Sequence, residues 1–167
     1  MIITDEKLLR VKCENVLPEE IGSLIDQLER ELKRAGNGIG LAAPQIGIAK
    51  NAAIIRINQN YSMNLINCRI EKGYDEEIFE DEGCLSFPGK YVKTLRYSEI
   101  YVVDNLGEVN SFIAQGLPAV VIQHELNHLN GILLPDLEIK QAVKSKVRPN
   151  DPCSCNSGKK AKRCCFK

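Results

Sequence analysis

Gln123-His124-Glu125-Leu126-Asn127-His128 contains both histidines of this 167-residue chain. The spacing is H-E-x-x-H, and the surrounding residues, from Ala119 to about Leu129, carry a helical pattern closed by Asn130-Gly131. Residues four apart share one face of a helix, so two imidazoles can reach one metal ion while Glu125 beside them holds a water. Two imidazoles do not complete a catalytic site, because a divalent ion normally takes a third protein ligand and keeps one position open. Downstream of the motif there is no third histidine, and Glu138 is the only glutamate. Upstream, Glu82-Gly83-Cys84-Leu85-Ser86-Phe87-Pro88-Gly89 puts Cys84 at the head of a turn of small residues, which makes its thiolate the candidate third ligand.

Working outward, residues 18–35 read as an amphipathic helix. Pro18 suits the first turn, Glu19 and Glu20 favour its positive end, and Ile21, Leu24, Ile25, Leu28 and Leu32 recur at helical spacing before Gly36. A glycine-rich bend, Gly36 to Gly40, follows and lets backbone approach a neighbour closely. From Ala52 to Ala114 the pattern turns to strand: Ala52–Ile57, Asn64–Ile70 and Tyr97–Val103, then a turn at Asp104-Asn105-Leu106-Gly107 into Glu108–Ala114. Residues 133–147 read as a partly helical connector. Helix, sheet and helix without strict alternation point to the α+β class.

Composition sets limits. At 44% hydrophobic residues the chain can bury a real core. With 5% aromatics and no Trp, it is poorly supplied for base stacking. No apolar run approaches the roughly 18 residues of a membrane span. The start, Met1-Ile2-Ile3-Thr4-Asp5-Glu6-Lys7, lacks the basic and apolar regions of a secretory signal, so the expected compartment is the cytoplasm. Neither DNA nor a membrane is an expected partner. The net charge of zero conceals a division. From Lys144 to Lys167 eight basic residues meet one acidic residue, net +7, which leaves −7 on residues 1–143.

Three stretches in order, Gly38-Ile39-Gly40-Leu41-Ala42-Ala43-Pro44-Gln45, Glu82-Gly83-Cys84-Leu85-Ser86 and Gln123-His124-Glu125-x-x-His128, resemble the signature motifs of peptide deformylases. Asp5-x-x-Leu8-Leu9-Arg10 and Asn105-Leu106-Gly107-Glu108 extend the resemblance to about residues 3–140. It implies antiparallel sheets packed around a central H-E-x-x-H helix. It also implies hydrolysis of the N-formyl group on the initiator methionine of nascent polypeptides, releasing formate. Cys84, His124 and His128 would hold the metal, usually Fe(II), with Zn, Ni or Co as substitutes. Glu125 would act as general base and then general acid. The Gln45 amide and the Leu85 backbone N–H would stabilise the oxyanion. Ile39, Gly40, Leu117, Val120 and Val121 would line the pocket for methionine and the peptide. Two positions depart from the family pattern: Asn127 stands where Asp is usual, beside the expected partners Glu82 and Arg96, and Tyr91 stands where many members carry Arg. Cys68 replaces a common Pro, and residues 67–82 match only loosely. Activity with altered peptide preference is expected. The alternatives are a metallopeptidase, which lacks its downstream ligand here, and a catalytically weak deformylase-like binding protein.

Four of the seven cysteines crowd into Cys153, Cys155, Cys164 and Cys165, a C-x-C-x8-C-C pattern. Two close thiolate pairs can fold over one zinc ion. With Asn156-Ser157-Gly158-Lys159-Lys160 between them, the stretch resembles the SEC-C motif at the C-terminus of the SecA translocation ATPase. The expected organisation is a catalytic part over 1–143, a linker over 144–152 and a small zinc knuckle over 153–167. The basic knuckle is expected to contact a protein or the ribosome.

Overall fold

The computed structural model describes residues 1–104 and 111–140, together with Lys159, Lys160 and Arg163. The expected turn at Asn105-Leu106-Gly107, the linker over 144–152 and the four tail cysteines lie outside the described residues.

The helix expected over 18–35 begins with a 3₁₀ turn, Pro18–Glu20, and continues as α2, Ile21–Ala35, after a short α1 at Glu6–Leu9. Leu24, Leu28 and Leu32 are its buried stripe. Gly36 ends it in the left-handed conformation, φ 78°, with its N–H donating to Leu32 O at 3.2 Å. That stripe packs on one face of a sheet made of β1 (Gly40–Ala42), β2 (Ala52–Asn58) and β3 (Tyr61–Ile66), antiparallel in that order. The run Ala52-Ala53-Ile54-Ile55 is wholly buried because it is covered on both sides. Ala52 and Ile54 meet α2, while Ala53 and Ile55 face the second layer.

The strand expected over Asn64–Ile70 is divided at Asn67. Asn67 has φ 53°, a conformation Asn adopts more readily than most side chains. It is fully buried: Val16 N–H donates to its Oδ1 at 2.7 Å, and its Nδ2 donates to Val16 O at 2.9 Å. The chain thereby leaves the first sheet and begins the second, β4 (Cys68–Cys84), β5 (Phe87–Asp104) and β6 (Phe112–Gln115), antiparallel in that order. The strand expected over Tyr97–Val103 is the inner end of the much longer β5. β6 covers only the end of the expected Glu108–Ala114 and runs one residue past it.

α3, Leu117–Leu129, lies between the sheets, against β1 and β2 on one side and β4, β5 and β6 on the other. Ala53, Ile55 and Leu65 from the first sheet, Ile100, Val102 and Ala114 from the second, and Ile122, Leu126 and Leu129 from α3 make one core. Each large aliphatic side chain buried there contributes about 1.5–3 kcal/mol. The H-E-x-x-H helix is therefore apolar on nearly every side and holds its polar groups in the interior. The connector after it contains a 3₁₀ turn at Leu134–Asp136, and Asp136 binds Arg10 at 2.7 Å. Among the described residues no helix is long and apolar enough to cross a membrane.

Candidate active site

His124 and His128 stand one turn apart on α3, their ring centroids 5.1 Å from each other. Cys84 is the last residue of β4 before the Leu85-Ser86 turn into β5, and its Sγ lies 3.2 Å from His128 Nε2. The donor atoms of Cys84, His124 and His128 all fall within 4.8 Å of one another, the one such group among the described residues. Donors around a tetrahedral ion with bonds of about 2.0–2.3 Å stand roughly 3.3–3.8 Å apart, so a small inward adjustment would let these three close on one ion. One thiolate and two imidazoles suit a divalent transition metal without selecting among iron, zinc, nickel and cobalt. Glu138, the alternative downstream ligand, instead pairs with Lys90 at 3.0 Å.

The surrounding groups fix these donors. Glu82 Oε1 lies 2.6 Å from His124 Nδ1, which leaves Nε2 free to face a metal. Arg96 grips the same carboxylate with both arms, Nε to Oε2 at 2.8 Å and Nη2 to Oε1 at 2.5 Å. Thr94 Oγ1 donates to Oε2 at 2.6 Å. Burial alone would raise the Glu82 pKa, but His124 and Arg96 outweigh it and hold the carboxyl down to about 2. Burial also disfavours a charged His124, yet the bonds to Cys84 and Glu82 prevail and raise it to about 10. Burial, together with the neighbouring charge of His124, pushes His128 down to about 3.

Glu125 points into the same space. It is buried, its Oε2 has no hydrogen-bond partner among the described residues, and burial raises its pKa to about 7. Gly40 explains the glycine-rich bend: a Cβ there would stand 2.4 Å from Glu125 Oε1. Gln45, on the 3₁₀ turn Ala43–Ile46, is also buried. Its Oε1 accepts from Ala42 N–H at 2.9 Å, and its Nε2 donates to Ser86 Oγ at 3.2 Å, 3.6 Å from Cys84 Sγ.

These groups border one cavity of about 500 Å³. Ile39, Gly40, Leu117, Val120 and Val121 line it, as do Gln45, Cys84, Leu85, His124 and Glu125. His128 is not part of that lining and is fully buried. The structure thus brings together every site residue read from the three motifs. Phe79 and Phe87 also border the cavity and were not read as site residues. Thr94 and Ser86 were missed as well. Only Ser86 carried a signal, as a member of the Glu82–Ser86 motif.

Comparison with known proteins agrees with this arrangement. The sequence model of the polypeptide deformylase family matches residues 1–144, and that of the SEC-C motif matches residues 150–167. A peptide deformylase of Acetivibrio thermocellus is 38% identical over 139 residues, covering 81% of this chain and 80% of the relative. The crystal structure of peptide deformylase from Thermotoga maritima superposes with a TM-score of 0.74 at 32% identity, covering 84% of this chain and 97% of that one. A class I type b peptide deformylase from Acinetobacter baumannii, solved with Met-Ala-Ser bound, gives a TM-score of 0.71 at 29% identity over 82% and 96% of the two chains. Agreement of this extent, in sequence and in backbone alike, admits one assignment: the chain belongs to the polypeptide deformylase family and removes the N-formyl group from nascent polypeptides.

Proposed function

We propose that Cys84, His124 and His128 hold one divalent ion, Fe(II) in the cell with Zn, Ni or Co able to replace it, and that Glu125 moves the protons of the reaction. The observation that carries this reading is the convergence of three donor atoms within 4.8 Å beside a buried glutamate without a partner for Oε2. An ion held there would supply Lewis acidity to the formyl carbonyl and to a water, which would then lose its proton near neutral pH. Glu125, with its pKa near 7, takes that proton and returns it to the leaving amine, so formate and a free N-terminus result. The Gln45 Nε2 amide and the Leu85 backbone N–H donate to the developing oxyanion, and losing one such donor costs about 10²–10³ in rate. The methionine side chain lies against Ile39, Val120 and Val121, with Leu117 and Gly40 bordering the path of the peptide. The Met-Ala-Ser bound to the Acinetobacter baumannii relative supports a peptide running through this cavity.

Glu125→Gln tests the assignment. Turnover should fall by about 10² or more while the catalytic metal stays bound. Retained turnover would remove Glu125 from the proton path.

The remaining parts follow from sequence. Residues 1–143 form the catalytic part, residues 144–152 link it, and residues 153–167 bind zinc through Cys153, Cys155, Cys164 and Cys165. So short a segment can bury little core, so the metal supplies its folding energy. The basic knuckle tethers the enzyme in the cytoplasm to ribosomes that present formylated chains, through rRNA or a ribosomal protein. Cosedimentation should be lost on deleting 148–167 and should weaken steeply with salt. Equal pelleting of the shortened chain would refute the tether.

A further inference from the structure

We infer that Thr94 is a positioning residue for the metal centre: its hydroxyl locks the Glu82 carboxylate that orients His124. The inference rests on the reading of His124 as a ligand and extends it to a residue no motif includes. An ionised carboxylate offers about four acceptor directions. In Glu82 all four are used. Oε1 receives Arg96 Nη2 at 2.5 Å and faces His124 Nδ1 at 2.6 Å, and Oε2 receives Arg96 Nε at 2.8 Å and Thr94 Oγ1 at 2.6 Å. Thr94 is fully buried and Glu82 nearly so, so the hydroxyl reaches the carboxylate away from bulk solvent.

The demand for Thr94 follows from what stands opposite. Arg96 reaches α3 only through Nη1 to Asn127 Oδ1, at 3.5 Å, the outer limit of a hydrogen bond to a neutral acceptor. α3 thus restrains the guanidinium weakly. The carboxylate is held instead from β5, where Thr94 and Arg96 are two residues apart and so project to the same face. Thr94 shares the load on Oε2, and the remaining direction of Oε1 is then aimed at His124 Nδ1. With Nδ1–H donating to Glu82, Nε2 is left as the lone-pair donor.

The test is a Co(II) titration of the full chain, read by the visible absorption that is missing from a Cys84→Ala chain, with kcat and KM for formyl-Met-Ala-Ser on the same samples. Thr94→Val keeps the shape and removes the hydroxyl. It should weaken Co(II) binding at this site about tenfold or more, in the range typical of residues that orient ligands, and lower kcat with KM within about twofold. Thr94→Ser should restore both. If the valine chain does not fold, Thr94→Ala replaces it in the same titration. Co(II) affinity and kcat unchanged in a folded variant would overturn the proposal, as would a lowered melting temperature alone. Absence of any Cys84-dependent absorption would instead refute the ligand assignment.

Discussion

Glu125 has room in the site because of what is missing at Gly40. The alpha carbon of residue 40 sits so close that a methyl group would stand 2.4 Å from Glu125 Oε1. Gly40→Ala should therefore leave the fold intact by circular dichroism yet lower kcat by about 10², the cost of displacing a reacting group by roughly an ångström. The sequence displayed this glycine and its purpose, close approach, but not the side chain it approaches. Thr94 was illegible for a different reason: a threonine alternating with valine and arginine along a strand looks like any inward-facing residue. Cys13 supplies a prediction on pH. Burial raises its thiol to about 11, so between its usual value near 9 and 11 the unfolded chain ionises while the folded chain keeps its proton. Stability should fall as pH rises through that window. Urea midpoints at pH 8 and 11 should converge more closely in Cys13→Ala than in the parent.

At the scale of elements, the β4–β5 hairpin is both the least legible part and the one that builds half the site. Residues 71–81 include Glu71, Asp75, Glu76, Glu77, Glu80 and Asp81, and most of them are exposed, so no alternation of apolar and polar residues marks the strand. Pairing with β5 and ion pairs such as Lys93–Glu80 at 2.6 Å hold it instead. The pairing then slips: Phe79 opposes Thr94, but Glu82 opposes Val92, so one extra residue intervenes at Asp81, φ 55°. A slip of one residue reverses the faces of a strand, and here it turns Glu82 inward beneath His124. Deleting Asp81 removes the extra residue but leaves Glu82 opposite Val92 and on the face of Thr94, so the purified chain should keep its metal at the Cys84 site. Loss of that metal in a folded variant would contradict this role of the bulge. Asn67 works likewise at the junction of the sheets. Asn67→Ala removes both bonds to Val16 and strains a left-handed position, and should cost about 3 kcal/mol in chemical denaturation.

Across the whole molecule, two antiparallel sheets enclose one apolar helix, and the cavity opens where the glycine-rich bend, the Cys84 turn and that helix meet. This was readable in outline because each of the three contributors carries a compact motif with chemistry at fixed spacing. The long hairpin and the division at Asn67 were not, since neither depends on a local apolar pattern. The charge division, −7 over residues 1–143 against +7 beyond, places the basic surface at the far end of the sequence from the catalytic motifs. The measurement that reaches the central claim most directly is formate release from formyl-Met-Ala-Ser by anaerobically purified full chain, with metal counted on the same sample. Turnover is expected with about two ions per chain, one of them removed with residues 148–167 and the other, when stripped by a chelator, abolishing activity until metal is returned. A chain with its Cys84–His124–His128 site filled and no formate released would contradict it.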